Sequence, residues 1–197
     1  MRRYHRDLLR LMVLPSLALA VSLIAVRTAV AANRAAQPPQ GNAAAESQIA
    51  KEVRHQLVLL PFYSVFDNLA FRVDGGKVTL LGQVVNPTLK DDAGRATKRV
   101  VGVTSVDNQI EVLPPSPLDN RLRRTLYRKI YSQPSLQKYE IRSVPPIHII
   151  VKNGHVTLEG VVSTAMDKQI AGMAANQVPN IFSVTNNLQI ENQPAAK

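Results

Sequence analysis

The sequence has no cysteine and no tryptophan, and aromatic residues make up only 5% of its 197 residues. Without thiols there is no disulfide framework, no cysteine-ligated metal or cluster, no cysteine nucleophile and no lipid-modified N-terminal cysteine. Nothing approaches H-E-x-x-H, G-x-S-x-G or a P-loop, so no catalytic, cofactor-binding or metal residues are expected. Positive charge, by contrast, is plentiful: 24 Lys and Arg against 14 Asp and Glu give a net +10. Such a balance suggests nucleic acid until the charge is located along the chain.

Part of it sits at the N-terminus. Residues 1–10 carry Arg2, Arg3, Arg6 and Arg10 against Asp7, and 11–26 form an uncharged apolar run broken by Pro15. That run is shorter than the ~20 residues a membrane span needs, and Ala29-Val30-Ala31 supplies an A-x-A pattern. A signal peptide over 1–31, removed on export, is the expectation; an uncleaved anchor is the alternative, because Arg27 lies between the apolar run and the small residues. Residues 32–47, rich in Ala, Gln and Pro, read as a disordered spacer, and 193–197 as a disordered tail.

The remainder is a repeat. Residues 69–112 align without a gap to 147–190, a period of 78, with 15 of 44 pairs identical. Gly75-Gly76 and Asn153-Gly154 are two-residue turns flanked by alternating apolar residues, which predicts a β-hairpin in each copy. Counting outward from the turns pairs Val73 with Val78, Phe71 with Leu80, Val151 with Val156 and Ile149 with Leu158. Gly82 and Gly160 then fall on the apolar face, where a missing side chain would admit a covering helix. A helix follows each hairpin, capped by Asn86 before Pro87 and by Thr164 with Asp167. A last strand holds Val106, Ile110 and Val112 in one copy, and Val184, Leu188 and Ile190 in the other. Asn108 and Asn186 are expected to hydrogen-bond nearby backbone. Four-residue spacings of Ile49, Val53 and Leu57, and of Leu118, Leu122, Leu126 and Ile130, predict a helix before each hairpin.

The fold class is therefore α+β: two tandem α-β-β-α-β domains, each a three-stranded mixed sheet with two helices on one face. Domain 1 spans 48–113, a Pro-rich linker 114–117, and domain 2 118–192. Five extra residues separate first helix from hairpin in domain 2.

The turn Gly76, Val78-Thr79-Leu80, Gly82 and the Val106, Asn108, Ile110 ending, repeated at Gly154, Val156-Thr157-Leu158, Gly160 and Val184, Asn186, Leu188, resemble the BON domain family. The resemblance implies a periplasmic, non-enzymatic envelope protein of the osmotic or envelope-stress type, attached to phospholipid membranes. It supplies no catalytic residues.

Charge is unequal between the domains. Residues 46–113 hold eight basic and eight acidic residues, whereas 118–192 hold nine basic and five acidic. On the helix beginning at 118, Arg121, Arg124 and Arg128 form a ridge opposite the leucine stripe, with Tyr127 and Tyr131 beside it. Guanidinium and phenol groups suit an anionic phospholipid headgroup region, so these five are lipid-binding candidates; the alternative is a solvated face above a core helix. Phe62 and Tyr63 are candidates for membrane or partner contact, or for interdomain packing. An adaptor binding an envelope protein or peptidoglycan, through the sheet face or edge and the 61–66 connection, is the competing function. No nucleic-acid partner is expected. His148 and His155 share a hairpin but face Glu159 and Lys152, a structural or surface arrangement.

Overall fold

The computed structural model describes residues 40–191, so the signal segment, the first half of the spacer and the tail lie outside the described residues. Domain 1 runs α1 (Gln40–Val58), β1 (Asn68–Asp74), β2 (Lys77–Val84), α2 (Pro87–Lys98), β3 (Ser105–Asn108) and β4 (Glu111–Val112). Domain 2 runs α3 (Pro117–Tyr131), α4 (Gln137–Glu140), β5 (Ile147–Lys152), β6 (His155–Val162), α5 (Ala165–Asn176), β7 (Ser183–Asn186) and β8 (Gln189–Ile190). Two boundaries move from their sequence positions. Helix α1 begins at Gln40, inside the stretch expected to be spacer, and Pro117 is the first residue of α3, where Ser116 accepts from the Asp119 amide at 3.2 Å. The missing N–H of proline is no loss at that helical position.

Both hairpins take the expected registers, with Phe71 opposite Leu80 and Ile149 opposite Leu158. Their turns have positive φ at Gly75, Gly76, Asn153 and Gly154, the geometry a two-residue loop requires. The central strand β2 pairs antiparallel with β1 and parallel with β3 and β4, and β6 does the same with β5, β7 and β8. One face of each sheet is covered by two helices, with Ile49, Val53, Leu57, Leu89 and Ala93 over Val78 and Leu80 in domain 1. In domain 2 the helical stripe is Leu122, Leu126 and Ile130; Leu118, Met166 and Met173 are exposed. Ala171, Ala174 and Ala175 face inward from α5 instead, since small side chains let that helix lie close to the sheet.

The last strand of each domain is split, where one continuous strand is expected. Asn108 is the cause: its amide donates to the Lys90 carbonyl at 2.8 Å, while its side-chain oxygen accepts from the Ile110 amide at 3.3 Å. Asn186 repeats both bonds with Lys168 and Leu188. A Cβ on Gly94 or Gly172 would stand within 3.0 Å of these amide nitrogens, so each Asn is matched to its helical glycine. Gly82 and Gly160 serve a different purpose from the expected one. They hold φ +111° and +119°, and an added Cβ would overlap the carbonyl of Asn68 or Pro146 at the start of the adjacent strand, not a covering helix. The start of each first helix is tied to its hairpin turn by a carboxylate, Glu46 accepting from the Gly75 amide and Asp119 from the amides of Asn153 and Gly154.

The two domains pack together. In an antiparallel hairpin with this register, Ile147, Ile149 and Val151 turn their N–H and C=O groups away from β6. The Ile149 amide donates to the carbonyl of Val65 at 2.8 Å, Tyr131 donates its hydroxyl to the Ile147 carbonyl at 3.0 Å, and Arg123 donates to the Val151 carbonyl at 2.5 Å. Val65 belongs to the connection before β1, yet its side chain is buried in the core of domain 2 with Leu122, Leu126 and Ile149. Lys152 pairs with Glu111 across the same seam. Truncating Val65→Ala is expected to destabilise domain 2 by about 1–3 kcal/mol, the range for removing buried methyl groups. Denaturant unfolding checks this, with hydrogen exchange at Ile149 rising if the seam is what weakens.

Candidate functional site

Helix α3 sorts its arginines by burial. Arg121, Arg124 and Arg128 are exposed, whereas Arg123 is buried and committed to Val151 and to the side chain of Asn120. Burial lowers the Arg123 pKa while Asp119 and Asp67 oppose that shift; a guanidinium stays charged regardless. Arg124 and Arg128 face an open cleft of about 760 Å³ with Tyr127 on the same wall. The opposite wall is Tyr63, Ser64, Val65 and Phe66 of domain 1, and Glu140, Arg142 and Ser143 close one end. Three arginines against one glutamate leave the lining net positive, with Val65, Phe66 and Pro145 as its apolar members. Tyr127 stands edge-on to Phe66 at a centroid distance of 6.3 Å and donates its hydroxyl to Glu140 at 2.9 Å. Its pKa is raised by partial burial and then by that carboxylate.

The sequence-derived candidates divide on this geometry. Arg124, Arg128, Tyr127 and Tyr63 meet in the cleft; Arg121 is exposed on α3 but does not line it. Tyr131 is no surface residue: its ring is in the core, 2% exposed, its hydroxyl is spent on β5, and burial drives its pKa far upward. Its helical position beside the ridge is turned inward by the strand edge it caps. Arg142 and Phe66 were not legible as cleft residues. Arg142 lies in the inserted segment, outside any periodic pattern, and Phe66 faces domain 2 only because the domains dock.

Phe62 and Tyr63 take opposite roles. Tyr63 packs at the seam, its ring stacked on His148 at 5.6 Å, with burial pushing its pKa up to about 12. Phe62 is 73% exposed and holds φ +68°, a left-handed backbone unfavourable for a bulky residue by about 1–3 kcal/mol. It shares a smaller cleft with Arg124, Phe66 and Asn120, next to the arginine cleft. His155 sits at the far turn, its Nδ1 2.8 Å from the Ser183 hydroxyl and its ring beside Phe182. Among the described residues no group of three or more His, Asp or Glu is placed to hold a metal, and no helix is long and apolar enough to cross a membrane.

The fold is one α+β unit, a sheet with two helices on one face, built twice in tandem. The family model described as BON domain matches residues 45–114 and again 119–192, and the chain belongs to that family as two tandem domains. BON domains are in general non-catalytic binding domains associated with membranes and phospholipids. No curated protein matches the chain. Among solved structures it is similar to the C-terminal domain of CdsD, a structural protein of the type III secretion system of Chlamydia trachomatis, at 14% identity and TM-score 0.29, covering 72% of this chain and 96% of that one. A second CdsD structure aligns at 13% identity and TM-score 0.26, covering 73% and 93%.

Burial lowers the His148 pKa, with Asp67 partly opposing the shift. The unfolded chain therefore takes up a proton near the ordinary histidine range of about 6.5 while the folded chain resists it, so stability falls as pH drops below that value. Thermal melts of the parent and of His148→Gln, taken between neutral and mildly acidic pH, are expected to show a smaller acid-side loss in the variant. Equal losses would place the pH dependence elsewhere.

Proposed function

We propose that this is a non-enzymatic envelope protein, exported to the periplasm, that associates with anionic phospholipid membranes mainly through domain 2 and so supports envelope integrity or stress tolerance. The observation that carries this reading is Phe62, an aromatic side chain kept exposed in a strained backbone beside Arg124. Phosphate groups pair with Arg124, Arg128 and Arg142, Tyr127 sits at the headgroup boundary, and Phe62 enters the acyl region as a wedge. Arg121 adds charge from the same helix. The excess of basic over acidic residues in domain 2 supports the same orientation, because attraction to an anionic surface is worth about 1 kcal/mol per nearby basic residue.

Flotation of the chain lacking residues 1–31 with phosphatidylcholine vesicles, with and without phosphatidylglycerol, tests the proposal. Binding is expected only with the anionic lipid, weakening as salt rises. Changing Arg124, Arg128 and Arg142 together to Glu is expected to lower partitioning by about 100-fold or more, three such contacts being worth about 3 kcal/mol. Phe62→Ser is expected to reduce binding while leaving its salt dependence intact. Equal binding to neutral vesicles, or none to either, would sink the idea.

A further inference from the structure

The first strands of the two hairpins pose one problem and receive two answers. By register, Leu69, Phe71 and Val73 turn their N–H and C=O groups away from β2, as Ile147, Ile149 and Val151 do from β6. In domain 2 those groups meet Tyr131, Val65 and Arg123. Domain 1 has Tyr63 at the Leu69 backbone but no counterpart of the Arg123 and Val65 caps. When Val53 of α1 is matched to Leu126 of α3, Ala50 stands where Arg123 does and Val58 where Tyr131 does. Among the described residues no hydrogen bond reaches the outward groups of Phe71 or Val73. A groove of about 660 Å³ runs beside the first half of this edge, from Asn68 to Phe71, and is lined also by Ala50, Arg54, Val58, Arg142 and Val161. Its lining contains two arginines and no carboxylate.

We propose that this groove binds an extended, acidic segment of another protein, which adds to the β1 edge as a further strand. The seam within the chain shows the mode: Ser64-Val65-Phe66 already lies against the β5 edge, giving a backbone hydrogen bond and burying one β-branched side chain. A ligand at β1 makes the matching bonds with Phe71 and Val73. Its alternate apolar side chains lie against Leu57 and Val58, and its carboxylates meet Arg54 and Arg142. Main-chain pairing supplies affinity and the alternating pockets supply selectivity. This site is distinct from the arginine cleft, although Arg142 borders both.

A fluorescein-labelled hexapeptide of alternating Asp and Val, titrated into the full chain and followed by anisotropy, tests the proposal. Saturable binding is expected, together with slowed hydrogen exchange at the amides of Phe71 and Val73. The same peptide with its backbone nitrogens methylated is expected to bind about tenfold more weakly or worse, since each lost hydrogen bond is worth about 1 kcal/mol. The double variant Ala50→Arg, Val58→Tyr transplants the domain 2 caps and closes the edge. It is expected to lose peptide binding while keeping its melting temperature and its flotation with anionic vesicles, so failure here and failure of the lipid proposal are distinguishable. Absence of saturable binding, equal binding of the methylated peptide, or unchanged exchange at Phe71 and Val73 would overturn the proposal. Self-association in sedimentation that the double variant abolishes would also overturn it, naming a second copy of the chain as the occupant.

Discussion

The structure turns on how the outer edge of a hairpin's first strand satisfies its backbone. A three-stranded sheet with helices on one face leaves that edge with a row of N–H and C=O groups pointing away from the sheet, and an unpaired row is a template for another chain. In domain 2 every element around the edge responds to it. Tyr131 and Arg123 are drawn inward from α3, and the connection before β1 crosses from the other domain to pair with Ile149. Domain docking is thus a by-product of strand completion, and the burial of Val65 and the stacking of Tyr63 on His148 come with it.

The arginine cleft is a further product of that docking. Arg124 and Arg128 come from α3, Arg142 from the segment inserted before β5, and the apolar wall from domain 1. Short α4 anchors the inserted segment through Tyr139, which donates to Asp167 at 2.7 Å and accepts from the Ser163 amide at 2.7 Å. Lys138 adds an ion pair to the same carboxylate at 2.8 Å. Burial raises the Asp167 pKa, but the hydrogen bonds from Lys138, Tyr139 and Thr164 outweigh it and hold the carboxyl below its usual value. The segment carrying Arg142 is therefore fixed at one end by a charged network and at the other by Pro145, which is buried.

Features set by local chemistry were legible in the sequence. The hairpin turns, their registers, the caps at Asn86 and Thr164 and the backbone bonds of Asn108 and Asn186 depend on residues a few positions apart or on strands joined by a tight turn. Features created by the meeting of distant surfaces were not. Tyr131 has the spacing of a flanking surface residue, and only the β5 carbonyl beside it explains its burial. Val65 has the pattern of a loop residue capping its own helix end, but it completes the other domain's core. Gly82 and Gly160 were recognisable as necessary, yet what a side chain there would meet is the carbonyl of Asn68 or Pro146 at the start of the adjacent strand, because of the positive φ at each glycine.

The placement of Val65 makes the two copies unequal as modules. Domain 1 keeps its own core if the chain is divided in the Pro-rich linker, while domain 2 would be left with an empty socket and an unpaired Ile149 amide. Once the duplicated units had come to share this residue, their order in the chain ceased to be exchangeable. The second copy can be lost from such an arrangement at less cost than the first, although it is the second that carries most of the charge.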